Sequence, residues 1–260
     1  MQQDRIENVY IVLGMHKSGT TLVSRLLMDA GVHMGEFDLS KDYDFGNQLE
    51  REETRLLNKK LLDCGDVFSL EVQSPLKTNI FSEEDLKEGK ELAADIQNNY
   101  PVWGFKDPRT CLTYTYWEKV LPVHRLIMVY RHPAEVISHY FRRRFSPTAI
   151  PKISRALRCW TRYNQHMLDV LKRREDALLL NFSLLMQNSS ELKRLERFLG
   201  SRVADRRDPQ KYRSKGGKTL YYHPALLYNS VVLGDNPLSL FNTLESFRVK
   251  QAKQMNVTHY

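Results

Sequence analysis

Residues 9–31, VYIVLGMHKSGTTLVSRLLMDAG, constrain the fold more than any other stretch of this chain. Asn8 to Leu13 is a short apolar and β-branched run that stops at a glycine, and Leu22, Leu26 and Leu27 then fall on one face of a helix. A strand that is apolar at nearly every position has to be covered on both of its faces. A strand that passes through a glycine turn into a helix is the opening unit of a parallel sheet. The predicted fold class is therefore α/β, a three-layer αβα sandwich with a mainly parallel central sheet.

The remaining chain repeats the alternation. Leu49 to Leu62 and Glu83 to Ile96 read as amphipathic helices, the second opened by Ser82 as N-cap with Asp85 at the capping-box position. Val102 to Phe105 reads as a short buried strand ended by Lys106-Asp107-Pro108, because proline disfavours helix in the residue before it. His124 to Tyr130 is the clearest second strand, and Pro133 suits the first turn of a helix running to about Arg143. A long helix over about Ile153 to Arg173, a strand at Ala177 to Leu180 and a helix at Ser190 to Leu199 stopped by Gly200 complete the core. Beyond it the chain turns basic (SRVADRRDPQKYRSKGGK) and ends in a helix near Leu240 to Gln254. With 260 residues and no internal repeat, the expectation is one domain over 1–260, its core at about 8–200 and a basic loop and helical segment at about 201–260.

The glycine loop is unusual in its cation. An ATP-type loop has the pattern GxxxxGK[ST], in which the lysine reaches the terminal phosphates and the hydroxyl binds magnesium. Here the loop is Gly14-Met15-His16-Lys17-Ser18-Gly19-Thr20-Thr21, so Thr20 holds the lysine position and Lys17 lies inside the loop. Backbone amides at the helix start can still cradle an anion, with hydroxyls from Ser18, Thr20 and Thr21 added. The anion site is kept and the magnesium-triphosphate grip is weakened.

Composition narrows the partners. The net charge of +8 favours an anionic one, and by itself does not choose among nucleic acid, a membrane surface and a phosphorylated small molecule. Arg142 to Arg144 is the densest basic spot and also fits a solvated helix end. Nucleic acid is not expected as a partner, since neither aromatic platforms nor a recognition motif accompany the charge. The polar first residues and short apolar runs signal neither export nor a transmembrane segment, so a cytoplasmic location is expected. Cys64, Cys111 and Cys159 are odd in number and lack CxxC spacing, which predicts buried reduced thiols and no metal site. Oligomeric state has no signal.

The loop HKSGTT after a strand resembles the 5′-phosphosulfate loop of sulfotransferases, enzymes that use 3′-phosphoadenosine 5′-phosphosulfate (PAPS). Residues 125–140, RLIMVYRHPAEVISHY, resemble that family's 3′-phosphate segment, with Arg131 and Pro133 matching. Trp103-Gly104-Phe105-Lys106-Asp107-Pro108-Arg109 is similar to the W-x-x-KDPR segment of many bacterial members, and Cys159 to Asn164 leading to Phe198-Leu199-Gly200 extends the likeness over about 8–200. The resemblance implies a P-loop NTPase-like sulfotransferase fold and transfer of a sulfuryl group from PAPS, as co-substrate and without a metal, to a hydroxyl or amine. The acceptor expected is a small molecule, sugar or lipid. One spacing departs from the pattern: the phosphate-binding serine of the family lies eight residues after the arginine, whereas Ser138 is seven after Arg131 and His139 is the eighth. A one-residue step turns a side chain by about 100° around a helix, so either Ser138 or His139 is the partner. Arg213, Lys215 and Gly216 echo the segment that closes on the 3′-phosphate.

Sulfuryl transfer follows the logic of phosphoryl transfer, in which positioning and cationic stabilisation carry most of the catalysis. The resemblance gives Lys17 to the bridging oxygen and leaving group, and Lys106, at a strand end, to the neighbourhood of the sulfuryl group. Arg109 is either an ion-pair partner of Asp107 or a substrate contact. The histidine that follows the equivalent lysine in many cytosolic members has no counterpart here, which leaves Glu50 and Asp107 as candidates for the general base. Two other readings stand beside this one. A P-loop small-molecule kinase would need magnesium and a lysine at position 20, and a non-catalytic nucleotide- or nucleic-acid-binding protein would need only the anion site.

Overall fold

The computed structural model describes residues 9–38, 49–64, 80–121, 123–140, 149–174, 176–208 and 222–257, with backbone alone at 139–140, 149–150, 222–224 and 256–257. Along these the elements are β1 (Val9–Leu13), α1 (Thr20–Asp29), α2 (Glu52–Leu61), α3 (Glu83–Asn99), β2 (Trp103–Lys106), α4 (Thr110–Val120), β3 (Arg125–Tyr130) and α5 (Pro133–Tyr140). There follow α6 (Ala149–Leu171), β4 (Ala177–Asn181), α7 (Phe182–Gln187), α8 (Ser190–Leu199), α9 (Tyr222–Val232) and α10 (Pro237–Val257). The four strands form one parallel sheet in the order β2-β1-β3-β4.

Strand periodicity sorts the core into two layers. Ile11, Leu13, Phe105, Leu126, Met128 and Leu179 share one side of the sheet with Leu57, Ile96, Trp117 and Trp160 from α2, α3, α4 and α6. The alternate residues Tyr10, Val12, Ile127, Val129, Leu178 and Leu180 face Val23, Leu26 and Leu27 of α1 and Leu192 and Leu195 of α8. Side chains on successive strand residues point to opposite faces, so helices on both sides are what the uninterrupted apolar runs require. The three layers expected from the sequence are present.

Both outer edges of the described sheet are partly covered, by side chains at β4 and by the His33 backbone and the Arg51 side chain at β2. On β4, Gln251 of α10 accepts from Leu179 N at 3.0 Å and donates to the Ala177 carbonyl at 2.8 Å. Arg194 donates to the Leu179 carbonyl, and Glu191 accepts from Asn181 N. On β2, His33 forms a parallel bridge with Trp103, bonding Val102 O and Gly104 N, and Arg51 Nε donates to Gly104 O.

Boundaries differ from the sequence reading where the backbone forbids helix. Leu49 has a left-handed φ of 51° and Arg51 is extended, so α2 begins at Glu52 and Glu50 lies in the turn before it. The Ser82–Asp85 capping box forms, and Gly200 closes α8 with φ 73°. All three cysteines are free; Cys111 and Cys159 are buried, whereas Cys64 is only partly so. Helices α4, α7 and α9 were not expected from the sequence pattern. Arg142 to Arg144 lie outside the described residues.

Candidate active site

The chain passes from β1 to β2 on one side and then returns to place β3 on the other, so the sheet order reverses between β1 and β3. Ligands of open parallel sheets bind in the crevice beyond the strand ends at such a reversal. The loop Gly14 to Gly19 leaves β1 there, and Arg131 leaves β3 beside it.

Backbone geometry makes the loop tight. Ser18 N bonds the Met15 carbonyl at 3.1 Å, Lys17 takes φ 65° and Gly19 takes φ 96°. A Cβ at Gly14 would stand 2.6 Å from the Val129 carbonyl oxygen, and one at Gly19 would stand 1.9 Å from the Phe182 ring. Glycine is therefore required twice by close approach. Helix α1 opens with no side-chain hydrogen bond at its N-cap and no acidic residue in its first turn, which suits the approach of an anion. Ser18 is wholly buried and its Oγ has no hydrogen-bond partner; Thr20 is also buried and Thr21 half-buried.

Arg131 is tied to that loop. Its Nη1 donates to the Lys17 carbonyl at 3.3 Å, its Nε donates to Glu135 Oε2 at 2.7 Å, and its guanidinium lies over the Phe182 ring at 4.9 Å. Ser183 Oγ donates to the same Glu135 oxygen, and Trp160 Nε1 to the Arg131 carbonyl. Ser138 is on α5 with its hydroxyl donating to the Glu135 carbonyl at 2.9 Å. His139 belongs to the same helix, but its side chain lies outside the described residues, as do Arg213, Lys215 and Gly216.

On the other side of β1, the end of β2 and the turn before α2 build a charged cluster. Lys106 Nζ donates to Glu50 Oε1 at 3.1 Å, and both side chains are almost entirely enclosed, at 2% and 7% exposure. Arg109 Nη1 sits 2.7 Å from Asp107 Oδ1 and 3.7 Å from Glu50 Oε2. Asp107 is fully buried and accepts from Arg109 N, Arg109 Nη1 and Asn58 Nδ2. Burial pushes the Glu50 carboxyl above its ordinary value, and the Asp107 charge adds to this against the opposing pull of Lys106 and Arg109.

His16 joins the two sides. Its imidazole is held well below the usual histidine range by burial first and then by Arg109, Lys106 and Lys17, which puts cations from both walls around one ring. Its Nε2 is enclosed without a hydrogen-bond partner, and its ring meets Tyr163 edge-on at 6.1 Å. The structure thus brings Gly14, His16, Lys17, Ser18, Gly19, Thr20 and Thr21 together with Arg131 on one wall, and Glu50, Lys106, Asp107 and Arg109 on the other. Asn58, Glu135, Phe182 and Ser183 support them and were not singled out for the site from the sequence. Only Asn58 carried a usable signal, as the amide on the buried stripe Thr54, Leu57, Asn58 of α2.

The fold is α/β, with a parallel sheet whose glycine loop and cations gather at the ends of β1, β2 and β3. A family model described as the sulfotransferase family matches residues 10–205, and the chain belongs to that family. Similar solved structures include the sulfotransferase domain of the olefin synthase from Synechococcus PCC 7002, at 18% identity over 92% of this chain and 94% of that one, with a TM-score of 0.51. Another is the sulfotransferase STF9 from Mycobacterium avium, at 15% identity over 96% and 77% of the two chains, with a TM-score of 0.49. No curated protein sequence matches the chain. Among the described residues no helix is long and apolar enough to cross a membrane, and no three His, Cys, Asp or Glu side chains are grouped to hold a metal ion.

Proposed function

We propose that this family member takes the sulfuryl group from PAPS and passes it to a hydroxyl or amine of a small-molecule, sugar or lipid acceptor. The observation that carries the reading is the meeting of two clusters at the neighbouring ends of β1 and β2. An anion loop with a displaced lysine and an unpartnered serine hydroxyl faces an enclosed carboxylate flanked by Lys106 and Arg109. The loop amides, Ser18, Thr20, Thr21 and Lys17 suit the 5′ end of the donor, and Arg131 suits its 3′-phosphate. PAPS supplies an activated sulfuryl group whose leaving phosphate carries the developing negative charge.

Glu50 takes the proton of the acceptor hydroxyl as its oxygen bonds to sulfur and the bond from sulfur to the phosphate oxygen breaks. Lys17 meets the charge that appears on the leaving phosphate, and Lys106 the charge spread over the sulfuryl oxygens. Asp107 is assigned no proton, because donors already occupy both of its oxygens.

The nucleotide half of the proposal is tested by thermal unfolding. 3′-Phosphoadenosine 5′-phosphate without magnesium is expected to raise the midpoint, since a ligand at about 100 times its Kd adds about 2.7 kcal/mol. ATP is expected to raise it much less. Equal shifts, or a strict magnesium requirement for both, would favour the kinase reading. The transfer half is tested by release of that nucleotide from PAPS over a panel of phenol, sugar and lipid alcohols.

A second measurement fixes the 3′-phosphate partner. The Ser138 hydroxyl is already spent on the Glu135 carbonyl, and His139 keeps the family's eight-residue spacing, so we assign the phosphate to Arg131 and His139. Losing a hydrogen bond to a charged group costs about 1.5–3 kcal/mol, or roughly ten-fold or more in affinity. His139→Ala is therefore expected to narrow the gap between 3′-phosphoadenosine 5′-phosphate and AMP affinities by that factor, and Ser138→Ala to leave it unchanged. The reverse result would move the assignment to Ser138.

A further inference from the structure

Asn58 makes every hydrogen bond that a carboxamide can make. Its Nδ2 donates to Asp107 Oδ2 and Thr110 Oγ1, each at 3.0 Å. Its Oδ1 accepts from Thr113 Oγ1 at 2.6 Å and Trp117 Nε1 at 2.8 Å. Indole N–H only donates, so the amide cannot turn over and its NH2 has to face Asp107. The opposite oxygen of Asp107 takes both Arg109 N and Arg109 Nη1, and that same Nη1 faces Glu50 Oε2. Each Glu50 oxygen thus meets one cation, Lys106 at Oε1 and Arg109 at Oε2.

We propose that Asn58 and Asp107 are positioning residues for the transfer reaction: Asn58 orients Asp107, Asp107 holds Arg109, and Arg109 sets the carboxylate of Glu50. This rests on the reading of Glu50 as the proton acceptor. A buried carboxylate is a weak source of stability, since apolar replacements of buried ion pairs are often neutral or stabilising. Stability alone is therefore a poor reason for Asp107 to stand here, whereas steering a cation toward the reacting carboxylate is a direct use of its charge. Among the described residues, the charges acting on Glu50 include Lys106 from β2, Asp107 and Arg109 from the turn before α4, and Arg55 from α2, while Lys106 and Arg109 also act on His16 of the loop. Of these, Asp107 raises the Glu50 carboxyl and Arg109 lowers it.

The alternative is that Asn58 only clamps α2 to α4 and Asp107 only closes the turn before α4. A charge swap separates the two. In Asn58→Asp combined with Asp107→Asn, a carboxylate at 58 accepts from the amide at 107, from Thr113 and from Trp117, so the buried network stays satisfied while the charge leaves Arg109. Turnover with the best acceptor of the panel is expected to fall about ten- to hundred-fold, the scale of a misplaced reacting group. Affinity for 3′-phosphoadenosine 5′-phosphate is expected to stay within about three-fold, as for a loss confined to the transition state.

Arg109→Gln is expected to reduce turnover similarly and to shift the acidic limb of the rate profile to higher pH, because a cation favouring ionised Glu50 is gone. Adding the swap to Arg109→Gln is expected to cost nothing further, the signature of residues acting through one another. A swap with full turnover, or losses that multiply, would overturn the proposal. If the swap does not fold, Arg109→Gln carries the test, and an unmoved acidic limb overturns it. Full turnover in Glu50→Gln sinks the underlying reading instead, which keeps the two failures distinct.

Discussion

Lys17→Ala is expected to lower turnover by roughly 10²–10³-fold, the range seen when one stabiliser of developing charge is removed, and to change affinity for 3′-phosphoadenosine 5′-phosphate by less than about three-fold. The local structure makes this a clean experiment. The loop backbone is held by Ser18 N on Met15 O and by Arg131 on the Lys17 carbonyl, neither of which involves the lysine side chain. Alanine at φ 65° bears the same left-handed strain as lysine, whereas glycine would relieve it and confuse charge with backbone freedom. What is lost is the lysine side chain beyond Cβ, its ammonium included. Its contribution is largest when the phosphate leaves, so the loss belongs in turnover and not in binding. A raised dissociation constant with turnover intact would reduce Lys17 to an anchor.

Glu50→Gln is the second large effect, with an expected fall of about 10²–10⁴-fold, the usual worth of a positioned general base. Glutamine keeps the shape and can still accept from Lys106, but it cannot take a proton. The pH dependence gives the sign. With Glu50 as the proposed base the ionised carboxylate is the form that acts, so turnover of the native chain is expected to rise as pH climbs through the Glu50 titration. Because burial and Asp107 raise that titration, the rise falls at higher pH than for an exposed glutamate. In Glu50→Gln the acidic limb is expected to disappear together with the rate. Should the variant keep its rate and its acidic limb, the proton goes elsewhere, and the His16 imidazole is the next group to test.

What could be read from the sequence follows how locally each feature is determined. β1, the loop and α1 are legible because a strand, a close-approach glycine and an amphipathic helix each leave their own pattern over few residues. Lys106 and Arg131 are legible as cations at strand ends. Helix α4 is not, since TCLTYTYWEKV is rich in β-branched and aromatic residues and is buried on nearly every side, so it has neither helical propensity nor a polar face. Helix α7 is six residues long and depends on the Asn181 side chain accepting from Ser183 N and Leu184 N. Glu50 is legible as a candidate by residue type. Its enclosure depends on the left-handed turn at Leu49, which swings it out of the helix that the amphipathic pattern had extended to it. Asn58 meets Asp107 across 49 positions and Arg109 meets Glu50 across 59, and no sequence period records such a meeting.

The side chains along the two rims of the sheet set how molecules of this protein can meet. An unpaired strand edge is a template on which another chain can polymerise. Here several of the groups that would recruit a stranger are already taken: Gln251, Arg194 and Glu191 bond the β4 backbone, and the His33 backbone and the Arg51 side chain bond that of β2. An intermolecular β-ladder would have to displace Gln251, Arg194 and Glu191 from β4, or His33 and Arg51 from β2.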